Sequence, residues 1–352
     1  MKDTLLSFVG QVFYIGIDVH LKSWTVTIRT SGLELKTFKM NPVPDQLAAY
    51  LHQRYSGGRF KTAYEAGFCG FWVHHDLINL GIENIVVNPA DIATTLKEKQ
   101  HKCDPRDSRK IARELECNNL VPIYIFSLED QTLKSLCRLR ITLGQDMTVI
   151  KNRICGYLNL YGQKVSVEET RWTGGYINKL ESISEKLPNG ETLKHLVISL
   201  KTKKKEILDI TRDLKKAIIR AGKEKLFKLL RTIPGIGFLT AATFITEVVD
   251  INRFRNFNAF AAFVGLMPCI ESSDEKEKIK GLSKRKNKYL MKMIVEAAWV
   301  AIRKDPALLK SYTELTKRMK GQKAIIRIAK KLLNRIKAVW LKQTEYIICT
   351  NI

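Results

Sequence analysis

Acidic residues are scarce in this sequence. Against 60 lysines and arginines stand 35 aspartates and glutamates, a formal net charge of +25. That imbalance excludes a neutral or acidic surface and points to a polyanionic partner, nucleic acid first. Paired cysteines are also missing. The seven present (Cys69, Cys103, Cys117, Cys137, Cys155, Cys269, Cys349) are scattered, odd in number and never spaced C-x-x-C. This gives no support for a zinc site or a disulfide framework and fits a reducing cytosol. No apolar run reaches the roughly 18 residues of a membrane span. Leu5–Val19 is apolar but interrupted by Gln11, reaches Asp18, and has no cleavage-site pattern. It is expected to form a buried strand and not a signal peptide. A soluble, cytoplasmic protein without a membrane partner is the expectation.

The charge is unevenly placed. Residues 1–125 carry 15 basic and 13 acidic side chains, whereas the remaining 227 carry 45 and 22. One part is acidic enough to bind metal; the other is built to sit on phosphates. Hydrophobic content of 45% with 27% charged residues is that of a globular protein.

Val12–Val19 is a near-continuous apolar run, and Trp24–Arg29 alternates Trp24, Val26 and Ile28 with polar residues. Ser31-Gly32 marks a turn, so three antiparallel strands are expected to open a sheet through Lys39. A helix over Pro44–Arg54 follows, then a strand over Phe60–Ala66, a helix over Phe71–Leu80 and a strand over Ile82–Val87 closed by Asn88-Pro89. Helices are expected at Ala90–Lys99 and Pro105–Glu116. This order describes an α/β domain with one central sheet. Beyond residue 127 strand signals cease. Leu128–Leu160 and Thr192–Arg220 are long amphipathic patterns with dense Lys/Arg on one side, separated by the turn signals Gly174-Gly175 and Pro188-Asn189-Gly190. A coiled-coil-like pair is expected, then a more apolar helical region from Leu226. Three domains follow: 1–126, 127–225 and 226–352. The basic helix Lys320–Lys342, apolar along Ile325, Ile328, Leu332, Leu333, Ile336 and Trp340, is expected to pack on the last domain and not on a membrane surface.

Asp18 ends an apolar strand, where a carboxylate costs several kcal/mol unless paired, hydrated or metal-bound. Glu65 ends another. If those strands are neighbours, both carboxylates meet at one rim of the sheet. Asp104 and Asp107 are three apart at a helix start, on one face. Oxygen ligands from three segments can hold two hard cations, magnesium or manganese, against a phosphodiester. Asp104, Pro105 and Asp107 also fit an N-cap, a first-turn proline and a capping box, a purely structural use.

Asp18, Glu65, Asp104 and Asp107, in this order and spacing, resemble the DEDD-type insertion-sequence transposases, whose first domain is similar to the RuvC junction resolvase with an RNase H-like sheet. Asn88-Pro89 through Arg113 looks like that family's asparagine-proline strand end and its lysine-threonine-aspartate-x-x-aspartate motif, with Cys103 in place of threonine. The resemblance implies an RNase H-like (RuvC-like) mixed-sheet N-terminal domain, a helical middle, and a helical C-terminal domain with a helix-hairpin-helix-like segment.

The C-terminal part carries a second set of motifs. Ile233-Pro234-Gly235-Ile236-Gly237 precedes an apolar helix, and such a turn can offer backbone N–H groups to a DNA phosphate or serve only as a tight turn. Gly265-Leu266-Met267-Pro268 leads through Ser272-Ser273 and a charged loop to Gly281-Leu282-Ser283-Lys284-Arg285-Lys286-Asn287. This stretch resembles the second domain of the same transposases. The resemblance implies a serine nucleophile that joins covalently to cut DNA, Ser273 by position and Ser272 beside it. Asp274 and Lys286 stand where the family has glycines. A serine hydroxyl needs activation by metal or a base, and the family implies that an oligomer, dimer or tetramer, brings serine and carboxylates together between protomers. Lys284, Arg285, Lys286 and Lys288 are expected to hold phosphates. The family also implies a structured guide RNA beside the DNA. Two other readings are a RuvC-like junction-resolving nuclease that uses water, and a non-catalytic nucleic-acid-binding protein whose carboxylates only cap and pair.

Overall fold

The computed structural model describes residues 7–92, 104–163, 171–273, 276–282 and 286–348, with the backbone alone at Asp104, 269–273, 276–280 and 282. The chain divides into two compact units, Met1–Phe126 and Ser127–Ile352.

In the first unit, period-two alternation decides the sheet. Phe13, Ile15 and Ile17 of β1 (Val12–Val19), Trp24, Val26 and Ile28 of β2 (Trp24–Thr30), and Phe60 and Tyr64 of β4 (Arg59–Glu65) share one buried face. Leu47 and Leu51 of α1 (Pro44–Arg54) and Val73 and Leu77 of α2 (Trp72–Asn79) cover it. With β3 (Leu33–Met40) and β5 (Glu83–Val87) the strand order is β3-β2-β1-β4-β5. β1, β2 and β3 are antiparallel, while β4 and β5 continue parallel to β1. Ser31 (φ 50°) and Gly32 (φ 79°) make the two-residue turn between β2 and β3, both left-handed as the twist of a tight hairpin requires. The opposite face is covered by α3 (Asp104–Glu116), whose Ile111 and Leu115 pack on Ala63 and Val87.

This mixed sheet, followed by helices, is the RNase H-like arrangement expected from the sequence. Where a helix was expected over Ala90–Lys99, Pro89–Asp91 is a short 3-10 turn whose Asn88 side chain accepts from Ala90 N at 3.1 Å; residues 93–99 lie outside the described ones.

The second unit is built on two long helices, α4 (Leu128–Leu160) and α6 (Glu191–Arg220). They run antiparallel: Ile154 and Leu158 meet Leu193, Val197 and Leu200 at one end, and Leu133, Cys137 and Ile141 share a core with Leu214 and Ile218 at the other. Between them lies a helix where sequence showed only turns, α5 (Gly174–Lys186). The Thr173 hydroxyl accepts from Tyr176 N at 3.4 Å, and Gly174-Gly175 form the first turn. The larger core gathers α7 (Glu224–Arg231), α8 (Phe238–Val248), α9 (Phe257–Val264), α10 (Lys288–Ala301), α11 (Pro306–Thr316) and α12 (Gly321–Lys342). The apolar side of α12 is buried in this core. No helix among the described residues is long and apolar enough to cross a membrane.

One sequence expectation is overturned here. The stretch expected to be a charged loop is an antiparallel hairpin, β6 (Pro268–Ser273) with β7 (Lys276–Leu282). It pairs Ile270 with Ile279, Glu271 with Lys278, Ser272 with Glu277 and Ser273 with Lys276. The run lacks the apolar alternation that marks a strand in sequence.

Candidate active site

Two neighbouring parallel strands set the site. β1 and β4 are in register through Ile17 and Tyr64, so Asp18 and Glu65, each one residue further on, stand side by side at the C-terminal rim. Ile17 and Tyr64 point into the core under α1 and α2; alternation therefore sends Asp18 and Glu65 to the other face, the one under α3. Both carboxylates are half-buried.

How α3 lies on that face follows from Gly16. A Cβ there would sit 2.1 Å from Ser108 O and 2.4 Å from Ala112 N. Only glycine lets the helix backbone rest directly on β1. A buried bond between Thr27 Oγ1 and Ser108 Oγ, 2.8 Å, fixes the rotation of the helix. Its far end is held by Glu116, which accepts from Arg29 Nε at 2.8 Å and Gly32 N at 2.6 Å. Because Arg29 pairs with Tyr14 near the start of β1, α3 runs back along β1 and its first turn faces the rim. From Gly16 to Asp18 the strand advances about 7 Å; from Ser108 back to Asp104 the helix covers about 6 Å. The two steps match. The backbone at Asp104, the first residue of α3, and the half-buried Asp107 thus lie at the end of the sheet that carries Asp18 and Glu65.

His20 adds a residue that sequence reasoning passed over. Its Nε2 lies 3.1 Å from Asp18 Oδ2. His20 follows Asp18 by two, one residue past the end of β1, and that closeness in sequence was the available signal. Tyr64 steadies the loop after Glu65 by donating to Gly70 O at 3.1 Å, and burial pushes its phenol above the usual range. Among the described residues no three His, Cys, Asp or Glu side chains cluster closely enough to hold a metal ion; the Asp104 carboxylate is not among them.

In the second unit, Ser272 and Ser273 are the last residues of β6, opposite Glu277 and Lys276. Lys284 and Arg285 lie outside the described residues, while Lys286 and Lys288 are exposed. Gly235 (φ 87°) is explained by packing: a Cβ would meet Ala297 O of α10 at 2.3 Å. Gly237, the N-cap of α8, is exposed and open around its Cα.

A second polar centre supports the segment that follows the hairpin. Glu247 of α8, with a side chain 1% exposed, accepts from Arg138 Nε at 2.6 Å and Arg138 Nη2 at 3.0 Å, with Lys134 Nζ at 3.6 Å. Asn287 Nδ2 donates to it at 2.7 Å, and Asn287 Oδ1 caps α10 by accepting from Tyr289 N and Leu290 N. Burial raises the Glu247 pKa, but the Arg138 hydrogen bonds, with Lys134 and Asn287, outweigh it and leave the carboxyl below its ordinary value. Burial likewise lowers the pKa of Lys134, against the pull of Glu247. A lone carboxylate in the apolar run Phe238–Val248 was the signal for this centre.

An RNase H-like sheet with carboxylates at one rim, joined to a basic helical unit, defines the class of nucleic-acid-processing proteins to which the comparisons then give a family. A family model described as a transposase, of the DEDD type of IS110, matches residues 15–163. A second, described as transposase of the IS116/IS110/IS902 family, matches residues 227–314. The transposase for insertion sequence element IS1111A from Coxiella burnetii is 27% identical over 243 residues, 67% of this chain and 64% of that protein. The transposase for IS1533 from Leptospira borgpetersenii is 23% identical over 69% of this chain and 71% of its own length. That for IS1328 from Yersinia enterocolitica is 37% identical over 27% of this chain and 28% of its own. The chain belongs to the DEDD-type IS110 family of transposases. The match to the IS1111A protein spans just under two thirds of that relative.

Proposed function

We propose that this chain cuts and rejoins DNA at the ends of an insertion sequence, using two divalent cations bound by Asp18, Glu65, Asp104 and Asp107 and a serine of the β6–β7 hairpin as nucleophile. The reading is carried by one observation: Asp18 and Glu65 stand on adjacent parallel strands, on the face where α3 begins with Asp104. Carboxylate oxygens from three rigid elements suit magnesium or manganese, and bound cations would supply Lewis acidity at the phosphodiester.

The protein's own part is positioning. Sheet pairing with Thr25 of β2 and Val87 of β5 fixes Asp18 and Glu65, and the contact at Gly16 seats α3 on β1. Ser273, with Ser272 as its neighbour, sits at the end of β6. In the proposed step its hydroxyl oxygen bonds to phosphorus and its proton passes to a carboxylate or water. The bond from phosphorus to the sugar oxygen breaks, and that oxygen takes a proton. Lys284, Arg285, Lys286 and Lys288 hold the flanking phosphates. The protein works in the cytoplasm as a homo-oligomer, the serine of one copy acting at the carboxylates of another, with a structured RNA choosing the DNA.

The test incubates protein, element-end RNA and labelled DNA with magnesium and looks for a covalent protein–DNA adduct. Wild type should form it, Asp104→Ala should lose it, and one of Ser272→Ala or Ser273→Ala should lose it selectively. Cutting that survives in both serine variants without an adduct would make this a water-using nuclease. No magnesium-dependent cutting at all would leave a nucleic-acid-binding protein.

A further inference from the structure

We infer that the groove between α4, α5 and α6 is a binding site for unpaired nucleotides, with Trp172 as stacking platform and lysines as phosphate contacts. Two cavities of about 230 and 340 Å³ share Ile177, Lys204 and Leu208 in their walls and so adjoin along one groove. Trp172 lines its inner part and Lys205 its outer part. Apolar and cationic side chains line it together: Lys151, Lys204 and Lys205 are joined by Lys201, which among the described residues pairs with Glu181 at 2.6 Å.

Trp172 is held in an unusual way. Its φ of 72° is left-handed, a conformation bulky side chains rarely adopt. The indole packs at a tilt of 59° on Tyr176, centroids 5.3 Å apart, and the Lys151 ammonium lies 5.2 Å from its centroid. Trp172 is half-buried, one side of it packed against the core of Ile154, Leu158 and Tyr176, and the rest of the indole lines the groove. An indole beside a wall of lysines is what a nucleobase and its phosphates require: the base takes a ring face, and an ammonium displaced from the ring is free to meet phosphate. Leu208, 58% exposed at the groove, widens the apolar surface. A second copy of this chain would bring the same lysines to the groove and be repelled, whereas a polyanion is not. A duplex hides its base faces; a single strand offers them.

For its partner class this inference rests on the nucleic-acid reading above, but its assay contains no cutting step, so an inactive rim would leave it intact. Full-length protein is titrated into fluorescein-labelled single-stranded RNA, the same sequence as DNA, and the duplex, with anisotropy as readout. Trp172→Ala should weaken single-strand binding about ten-fold or more, with duplex binding unchanged, and Trp172→Phe should recover most of the loss. Lys204→Ala/Lys205→Ala should reduce the salt dependence of single-strand binding by one to two phosphate contacts. A strand carrying 5-iodouridine should photocross-link to the tryptic peptide beginning at Trp172. Preference for RNA or for DNA names the strand, and either supports the site. The inference is overturned if a folded Trp172→Ala protein binds single strands as wild type does, if it loses single strand and duplex alike, or if it changes only the sedimentation of the protein.

Discussion

Replacing Gly16 by alanine perturbs the rim without touching a carboxylate. The added methyl would lie 2.1 Å from Ser108 O and 2.4 Å from Ala112 N, both backbone atoms of α3. Ordinary contact begins near 3.4 Å, so the helix must lift by about 1 Å or more. Backbone cannot rotate away as a side chain can, which sets the cost at the upper end of the usual overpacking range, about 2–3 kcal/mol. The 2.8 Å bond between Thr27 and Ser108 stretches with it. If Asp104 and Asp107 ride on that helix as metal ligands, a shift of this size should cut the rate of DNA cleavage about 100-fold. Urea unfolding followed by far-ultraviolet dichroism reads the first effect, and magnesium-dependent adduct formation the second. Gly156→Ala is the control: it lies in α4, and its Cβ would meet nothing within 4 Å. It should add roughly 0.5–1 kcal/mol and leave cutting unchanged. A Gly16→Ala protein with wild-type midpoint and wild-type cutting would refute the account of how α3 is seated.

Three further outcomes follow from the second unit. Glu247→Ala removes the carboxylate that Arg138, Lys134 and Asn287 share; it should cost about 3–5 kcal/mol in urea unfolding, and a loss under 1 kcal/mol would contradict the buried centre. Gly235→Ala drives a methyl into Ala297 O at 2.3 Å from a left-handed backbone, so the unfolding midpoint should drop clearly, while binding at low salt should follow only the folded fraction. Acid should expose the same centre. Glu247 is held below its ordinary pKa despite burial, and so is Asp305, by Tyr346, Leu308 N and Arg335. Their stabilisation is complete above the unfolded values, about 4.5 and 3.8, and is lost as pH falls through the lower folded ones. Stability should therefore decline below about pH 4.5, with a shallower slope in Glu247→Gln; an unchanged slope would remove Glu247 from the acid response.

How much could be read in the sequence depends on which physical signal each part writes there. β1, β2 and the helix at Pro44–Arg54 were legible because one face is buried and the other is not, and the period of two or of 3.6 survives in a single sequence. The same alternation is why Asp18 and Glu65 could be expected at one rim once their strands were neighbours. His20 lies one residue past β1, where no alternation marks it, and only its contact with Asp18 in the fold singles it out. The β6–β7 hairpin wrote no such period. Its pairs are Glu271 with Lys278 and Ser272 with Glu277, so the run looks like a solvated charge cluster until the partner strand is known. α5 was hidden for a related reason: Gly174-Gly175 is a turn signal locally, and only the Thr173 cap and the packing of Tyr176 and Ile177 make it a helix start.

Gly16 shows where single-sequence reasoning runs out. In Tyr-Ile-Gly-Ile-Asp a glycine inside an apolar strand signals close approach of something, but not what approaches. Here it is a helix that begins some ninety residues later with Asp104. The sequence carries the acidic residues and, separately, the glycine; only the fold connects them, since the missing Cβ is what brings the start of α3 down to the carboxylate rim. A change at Gly16 should then reach the chemistry through α3 alone. A compensating small residue at Ser108 or Ala112 could not rescue it, because the clash is with their backbone atoms.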